Sequence, residues 1–391
     1  MVNNIINAVQ EIINNIQTKG DSAVISYLKK FDGVSFKSPK EFKVSEKQIN
    51  DSVKKVSADL QNAIKASYLN VLAFHKKEYS NIQKQWFLTD KIKSVGQTYR
   101  PIESVGIYVP GGRFSYPSSV IMNAVAAKVA GVKRIVMMTP PKKMTNEVLF
   151  AAKLCGIKEI YTIGGAVAIA TLAYGTKTIK PVNMIVGPGN AYVNEAKRLV
   201  FGKVGIDSLA GPSEVAIVAD NGANKDYVLY DLLAQCEHDT MAKAYLLCNS
   251  KKIINYVKKN LDKEKLNQIK IYNVNINKAV EMVNDIAPEH LELLIKNAKQ
   301  AVKKIYNSGA IFAGYNTATA VGDYWAGPSH VLPTNGSAKY SSGLSVMTFL
   351  KRSSYIELKK VTKKTKKEIA DFAASEGLIN HKKSIEVSKI K

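Results

Sequence analysis

From residue 104 onward, the chain repeats one pattern that restricts its fold more than any other feature does. A short apolar run ends in glycine or proline and leads into a helical segment, four times in succession, in "SVGIYVPGG", "RIVMMTPP", "EIYTIGG" and "NMIVGPGN". Strand, turn and helix in this repeated order predict βαβ units and a mainly parallel sheet. Ligands of such sheets bind at the carboxyl ends of the strands, so the glycine turns are expected to line a site. The sequence contains no G-x-G-x-x-G, and "GPGNAY" alone does not establish a dinucleotide site.

A second α/β stretch follows from about residue 213. The runs "SEVAIVAD", "AKAYLLC" and "GAIFAGY" predict strands. Helical periodicity predicts helices in four further segments, namely 224–238, 251–260, 276–284 and 288–304. The class expected from both stretches is α/β.

The two ends of the chain have a different pattern. Apolar residues at helical spacing predict an amphipathic helix over 3–18, which ends at Gly20. Helical patterns continue from 46 to 80, and the surroundings of Trp86 are predicted to be irregular. Near the C-terminus the sequence predicts one helix over 361–376.

The composition argues against several classes of protein. The 391 residues have room for two domains, and the net charge of +24 raises the question of nucleic-acid binding. Only five of the 56 basic residues are arginine, whereas nucleic-acid surfaces favour arginine for bidentate contacts, so we expect no nucleic-acid partner. No apolar run reaches about 18 residues, so no membrane span is expected. The absence of a signal-peptide pattern and the presence of only three cysteines favour a reducing, cytoplasmic location.

The segment "LLAQCEHDT" concentrates polar side chains at the end of a predicted helix. Gln235 and His238 stand three residues apart on one helix face, where both side chains can bind one metal ion. A polar helix end with no ligand is the alternative interpretation. Cys236 points elsewhere and has no adjacent base, so we expect it to pack rather than to act as a nucleophile.

The segment "NDIAPEHLELL" places Pro288 in what the sequence predicts to be the first turn of a helix, with Glu289 and His290 just inside it. A helix N-terminus favours an ionised carboxylate and a neutral imidazole, which are the base forms of both groups. Two adjacent bases suit two proton transfers. An acidic residue placed at a helix start by propensity alone is the alternative.

Two further segments carry potential ligands. The loop "GDYWAGPSHVLPT" contains Asp323 and His330, and "EGLINH" contains Glu376 and His381 near the chain end. Taken together, the clusters supply glutamine, histidine and aspartate side chains for a metal such as Zn²⁺, in addition to the Glu–His pair.

These segments, in this order and spacing, resemble the histidinol dehydrogenase family over nearly the whole chain. The segments that carry the resemblance are "VGIYVPGG", "YPSSVIMNAVAAKVAG", "GPGNAYVNEAKR", "AGPSE", "AQCEHD", "APEHLEL", "GDYWAGPSHVLPT", "SGLSV" and "EGLINH". The resemblance implies a zinc enzyme for the final step of histidine biosynthesis. Such an enzyme oxidises L-histidinol through L-histidinaldehyde to L-histidine with two NAD⁺ in succession.

The resemblance also implies a role for individual residues. The implied zinc ligands are Gln235, His238, Asp323 and His381. The implied catalytic pair is Glu289 and His290. The implied NAD contacts are Tyr108, Asn190 and the residue at position 167, which is Val167 here. The implied substrate contacts are Ser213, Gln235, His238, His290, Asp323, Glu376 and His381.

The implied architecture has two Rossmann-like α/β domains with mainly parallel sheets, plus a small C-terminal helical and extended tail involved in dimerisation. The predicted boundaries are 1–104 with 215–343 for a discontinuous first domain, 105–214 for the domain with the NAD site, and 344–391 for the tail. By resemblance the protein is a homodimer in which His381 reaches into the partner's site.

The chain departs from the family's pattern at a few positions. Family members usually have glutamine where this chain has Val167, so one polar NAD contact is expected to be missing. The position after "SGLSV" that is often aspartate is Thr348 here, separated from it by a methionine. The chain also begins near the first long helix, so the dimer contacts of an extra N-terminal segment are not expected.

Two alternative functions are also compatible with parts of this sequence. A family relative that oxidises another small polar alcohol would share the metal ligands, but Ser213, Glu376 and His330 at the substrate end favour histidinol. A non-enzymatic basic scaffold or nucleic-acid binder would not need the complete set of ligands and bases. Salt-sensitive DNA binding without metal would support that second alternative.

Overall fold

The computed structural model describes residues 2–111, 115–238 and 240–389. It divides into two compact units. The first unit comprises Met1–Tyr79 and Ile102–Phe349, and the second comprises Ser80–Pro101 and Leu350–Lys391.

The strands of the described residues form three sheets. Their bounds are β1 (Gln85–Thr89), β2 (Lys93–Pro101), β3 (Ser104–Tyr108), β4 (Arg134–Met138), β5 (Glu159–Tyr161), β6 (Met184–Val186), β7 (Gly205–Ile206), β8 (Glu214–Ala219), β9 (Lys243–Cys248), β10 (Ile269–Asn273), β11 (His290–Leu294), β12 (Ala310–Ala313) and β13 (Leu350–Leu358). The sheet orders are β1–β2–β13, β5–β4–β3–β6–β7 and β10–β9–β8–β11–β12.

The α-helices of the described residues fill the connections between these strands and the two ends of the chain. Their bounds are α1 (Val2–Lys19), α2 (Asp21–Tyr27), α3 (Glu46–Lys55), α4 (Ala58–Ser80), α5 (Pro117–Ala130), α6 (Asn146–Cys155), α7 (Gly165–Tyr174), α8 (Ala191–Val200), α9 (Lys225–His238), α10 (Lys251–Asn260), α11 (Ile276–Ile286), α12 (Ala298–Val302), α13 (Thr319–Tyr324), α14 (Lys363–Ser375) and α15 (Ile379–Glu386). Among them, no helix is both long and apolar enough to cross a membrane.

The first unit contains two five-stranded parallel sheets with the same topology. In each sheet the first strand in chain order, β3 or β8, is central, the next two strands lie on one side, and the last two lie on the other. This order, 3-2-1-4-5, is that of the first five strands of the classic Rossmann fold. The four strands that the sequence predicts after residue 104 are β3 to β6, and α5 to α8 follow them in turn. The predicted α/β class with mainly parallel sheets is confirmed.

The region after α11 differs from its prediction. The sequence predicts one helix over 288–304, which is wrong, because residues His290–Leu294 form strand β11 and only Ala298–Val302 are helical. Strand β11 pairs with β8 on one edge and with β12 on the other, and all five of its residues are buried. A strand that is covered on both faces has no apolar–polar alternation, so its local pattern does not distinguish it from a buried helix.

The N-terminal helices pack on the first of the two parallel sheets. Val9, Ile12 and Ile16 of α1 are buried in one apolar core together with Val136 of β4 and Ile169 of α7. Helix α1 thus shares a core with residues of the segment 105–214, and the grouping of residues 1–104 with 215–343 stays a prediction.

The second unit is built around the antiparallel sheet β1–β2–β13 and the helices α14 and α15. The predicted helix near 361–376 corresponds to α14. The surroundings of Trp86 are not irregular as predicted, because this residue lies in β1. All five residues of β1 are exposed, so the strand lacks the alternation by which a half-buried strand is recognised.

Candidate active site

A cavity of about 1030 Å³ lies within the first unit and is lined by residues of both parallel sheets. The first sheet contributes the glycine turns that follow its strands, including Gly111, Gly164 and Gly187. This arrangement at the carboxyl ends of the strands agrees with the expectation from the sequence. The second sheet contributes residues at the opposite ends of its strands, because Ser213 precedes β8 and Glu289 precedes β11.

The glycine turn after β6 lies against the end of β3. Gly187 has a φ of 113°, and a Cβ atom at this position would lie 2.1 Å from the carbonyl oxygen of Tyr108. Only glycine allows this close approach of two backbones. The Tyr108 hydroxyl accepts a hydrogen bond of 3.1 Å from the backbone nitrogen of Gly165, and burial raises the Tyr108 pKa to about 12. Tyr108, the last residue of β3, therefore contacts the glycine turns after β5 and β6.

A buried ion pair also supports the turn after β6. Lys197 of α8 donates hydrogen bonds of 2.5 Å to Asp207 Oδ1 and 3.1 Å to the Gly187 carbonyl, and both charged side chains are almost fully buried. Asp207 Oδ2 accepts a hydrogen bond of 2.8 Å from the Gly187 nitrogen. Neither residue was among the predicted site residues. The available signal was a lysine on the apolar face of α8, one turn after the buried Val193.

The other two residues that the resemblance assigns to NAD also line the cavity. Asn190 is the N-cap of α8, and its side-chain oxygen accepts hydrogen bonds of 3.1 Å from the backbone nitrogens of Tyr192 and Val193. Val167 lies in the first turn of α7 and is buried. Its apolar side chain has no group that could donate or accept a hydrogen bond there.

Glu289 is buried at the start of β11. Its Oε2 accepts a hydrogen bond of 3.3 Å from the backbone nitrogen of Glu214, and its carboxyl group also bonds the Ser213 side chain. Burial raises the Glu289 pKa to about 8. The prediction that a helix N-terminus keeps this carboxylate ionised is wrong, because the residue enters a strand and burial disfavours the charged form.

His290 lies between two carboxyl groups. Its Nδ1 is 3.9 Å from Glu289 Oε2, and its Nε2 is 3.8 Å from Asp323 Oδ1. The same Asp323 oxygen is 3.9 Å from His330 Nδ1. Burial, and secondly the charge of Asp231, raise the Asp323 pKa to about 6. The structure thus brings together the Glu–His pair and two residues of the predicted loop.

The predicted metal ligands are only partly assembled in the described residues. Gln235 and Asp323 line the cavity, whereas the side chain of His238 lies outside the described residues and His381 belongs to the second unit. Glu376 also belongs to the second unit. Within the described part of the chain, no group of three or more His, Cys, Asp and Glu side chains is arranged for a metal.

The residues that are present fit a zinc ion. Gln235 is buried and lines the cavity, where its side-chain amide oxygen could ligate a metal ion. The enclosed Asp323 carboxylate has no lysine or arginine partner there, so a bound cation would offset its burial. A set of nitrogen and oxygen donors of this kind suits Zn²⁺.

Cys236 does not take part in this site. Its side chain is buried among the apolar residues between α9 and the second sheet. Burial raises the Cys236 pKa, so the thiol stays protonated near neutral pH. The structure therefore supports the expectation that Cys236 packs rather than reacts.

The two Rossmann-like sheets, the glycine turns and the buried Glu–His pair together define the class, an NAD-dependent oxidoreductase of α/β type. A sequence model of the family described as histidinol dehydrogenase matches residues 1–388. The chain belongs to the histidinol dehydrogenase family, and it is an oxidoreductase of histidine biosynthesis.

Curated relatives and a solved structure agree with this assignment. The chain is 45% identical to histidinol dehydrogenase 2 of Trichormus variabilis, over 96% of this chain and 90% of the relative. It is 45% identical to histidinol dehydrogenase of Pelagibacter ubique, over 97% and 91% of the two chains. The crystal structure of histidinol dehydrogenase from Elizabethkingia anophelis superposes with a TM-score of 0.88 at 34% identity and covers 97% of this chain and 91% of that one.

Proposed function

We propose that the protein is a zinc-dependent enzyme that oxidises L-histidinol through L-histidinaldehyde to L-histidine with two NAD⁺ in succession, the final step of histidine biosynthesis. The observation that carries this proposal is the meeting of Glu289, His290 and Asp323 in the cavity bordered by the glycine turns. We also infer from the free cysteines that it acts in the reducing cytoplasm.

The metal is assigned to Gln235, His238, Asp323 and His381. When bound, zinc supplies Lewis acidity and a fixed point that orients the substrate. The same four residues, together with Ser213, His290 and Glu376, are proposed to contact the substrate. In the described residues, the hydrogen bond from Ser213 to Glu289 supports a common location for substrate and base.

His290 is proposed to move protons in both oxidations. In the first oxidation, a base takes the hydroxyl proton while a hydride leaves the carbon for NAD⁺. In the second, a base takes the proton of the aldehyde hydrate while the second hydride leaves. The two ring nitrogens of His290 lie within 4 Å of the Glu289 and Asp323 carboxyl groups, so the imidazole stands between two groups that can exchange protons.

Glu289 is proposed to take the proton from the water that adds to the aldehyde. A general base is most effective when its pKa is near the working pH, and burial brings the Glu289 pKa to about 8. The bond from the Glu214 backbone nitrogen holds one carboxyl oxygen in place. The Glu289 carboxyl can therefore release and regain a proton during each turnover.

The proposed reaction is tested by counting the NADH formed per histidinol supplied, with and without a chelator. We expect two NADH per histidinol from the zinc-loaded protein and none after removal of the metal. In His238→Ala, zinc content and turnover should both be lost. Full zinc content and turnover in this variant would contradict the ligand assignment.

The Val167→Gln variant should bind NAD⁺ more tightly. A hydrogen bond from a polar side chain contributes about 0.5–1.5 kcal/mol, so the KM for NAD⁺ should fall by a few-fold to about tenfold. Val167 lines the cavity in the first turn of α7, where a longer amide side chain reaches the ligand space. Val167→Met, which adds length without an amide, should not lower the KM. An unchanged KM in Val167→Gln would show that other residues already supply this contact.

We propose that the protein is a homodimer in which His381 completes the partner's site. If so, mixed chains of Glu289→Gln and His381→Ala should regain about half of the wild-type activity in heterodimers, because one of the two sites contains neither change. A mixture of Glu289→Gln with the double variant Glu289→Gln/His381→Ala is the control and should stay inactive. Heterodimers without activity would indicate that each site is built within one chain.

A further inference from the structure

Two buried carboxyl groups lie beneath the active site and have no part in the chemistry described above. Asp231 on α9 is 8% exposed, and Glu292 on β11 is fully buried. Thr319, the first residue of α13, donates two hydrogen bonds to Glu292 Oε1, of 3.2 Å from its nitrogen and 2.5 Å from its hydroxyl. Neither carboxyl forms an ion pair with lysine or arginine within the described residues.

The arrangement of the oxygens requires a proton between the two groups. Glu292 Oε2 and Asp231 Oδ2 are buried, and no donor from the described residues reaches either atom. The carboxyl groups of Asp231 and Glu292 are nevertheless close enough to each other to interact. Two carboxyl groups can share a hydrogen bond only when one of them is protonated. Burial raises the pKa of both carboxyl groups, and the charge of Asp231 raises that of Glu292 further, so the pair holds one proton between them.

The contact involves α9, β11 and α13. Each of them also carries an active-site residue a few positions away along the chain. Asp231 is one helical turn before Gln235 on α9, and Thr319 is one helical turn before Asp323 on α13. Glu292 is two residues after His290 on β11, so both side chains point to the same face of the sheet. Leu291, on the opposite face, packs with the core on the other side.

We propose that Asp231 and Glu292 share one proton and, together with Thr319, act as positioning residues that hold Gln235, His290 and Asp323 in a common arrangement. The proposal rests on the proposed function, because it assigns these residues to the proposed zinc and base site. A paired acid and carboxylate links the three elements by directional bonds, which apolar packing between the same elements would not supply.

The shared proton is tested by infrared spectroscopy of the metal-free protein at neutral pH, without histidinol or NAD⁺. We expect wild-type protein to have a carbonyl band of a protonated carboxylic acid that is lost in Glu292→Gln. Asp231→Asn should shift or remove the same band, because the acid then bonds an amide instead of a carboxylate. Glu281→Gln, a change of the same kind at an exposed glutamate, should leave the acid carbonyl band unchanged. Difference spectra cancel the contribution of Glu289.

The positioning role is tested by comparing Glu292→Gln with Glu292→Met. Glutamine can donate to Asp231 and accept from Thr319 as the protonated acid does, so zinc affinity and kcat should stay close to wild type. Methionine has a similar size but makes neither bond, and both zinc affinity and kcat should fall about 10–100-fold. Zinc affinity is measured by titration of the metal-free protein against a competing chelator, and circular dichroism monitors the fold.

Three results would overturn the proposal. They are an acid carbonyl band that is the same in wild type and Glu292→Gln, a band that is unaffected by Asp231→Asn, and equal zinc affinity and kcat in the glutamine and methionine variants. The spectra need neither substrate nor metal, so they stay informative if histidinol is not oxidised. If the protein oxidises histidinol fully but lacks the shared acid band, only the proposal of the carboxyl pair is contradicted.

Discussion

The Glu289→Gln variant is expected to slow the conversion of supplied histidinaldehyde to histidine by about 10²–10⁴-fold, the usual cost of losing a general base. The first NADH from histidinol should form at a rate much closer to that of the wild type. The reason is that only the second half of the reaction adds water to a carbonyl group. Glutamine keeps the size of Glu289 and can still accept the hydrogen bond from the Glu214 nitrogen, so the fold should be preserved.

The His290→Asn variant is the matched comparison and should slow both halves. His290 is proposed to remove a proton in each oxidation, and asparagine cannot act as a base. Single-turnover experiments that start from histidinol or from histidinaldehyde separate the two halves, with zinc content measured in each variant. If Glu289→Gln slowed both halves equally with zinc and fold intact, the separate roles would be wrong. Glu289 and His290 would then act as one coupled base.

The Lys197→Met variant should lower the free energy of unfolding by about 3–5 kcal/mol, because it leaves the buried Asp207 carboxylate without its cationic partner. It should also raise the KM for NAD⁺, since both side chains hold the Gly187 turn at the cavity. The exposed neighbour Arg198 is the control. Its ion pair with Glu195 lies at the surface, so Arg198→Met should cost about 0–1 kcal/mol.

A double-variant cycle distinguishes the ion pair from simple packing. In Lys197→Met/Asp207→Asn neither charge remains, so urea unfolding should show a smaller loss than the sum of the two single variants. Additive losses would indicate that the two side chains stabilise the protein independently. An unaltered KM for NAD⁺ in Lys197→Met, together with the expected instability, would limit the pair to a structural role.

The class of fold was predictable because its signals are local. The apolar runs before Gly111, Pro140, Gly164 and Gly187 are strands, and their turns line the cavity, since a βα unit depends mainly on neighbouring residues. Site residues inside short motifs could be predicted equally well from the sequence. Asp323, which lies near the end of α13 rather than in the predicted loop, and His330, seven residues later, do lie close together.

Strand β11 was not predictable in this way. Its five buried residues resemble part of a helix until β8 and β12 are known to pair with it. The error had a chemical consequence, because a helix N-terminus would keep Glu289 ionised, whereas burial at the start of a strand raises its pKa to about 8. The predicted secondary structure and the predicted protonation state of Glu289 were therefore wrong for the same reason.

By itself, the sequence determined the α/β class and the glycine turns of the first sheet, and it offered the Glu–His pair as a candidate, because each depends on residues that are close along the chain. Only the tertiary structure decided that the second sheet presents the opposite ends of its strands to the cavity, and that Lys197 pairs with Asp207. It also decided that Asp231 meets Glu292, 61 positions away in a sequence that contains many other acidic residues. Burial and partner choice depend on segments far apart in the chain, and no local pattern encodes them.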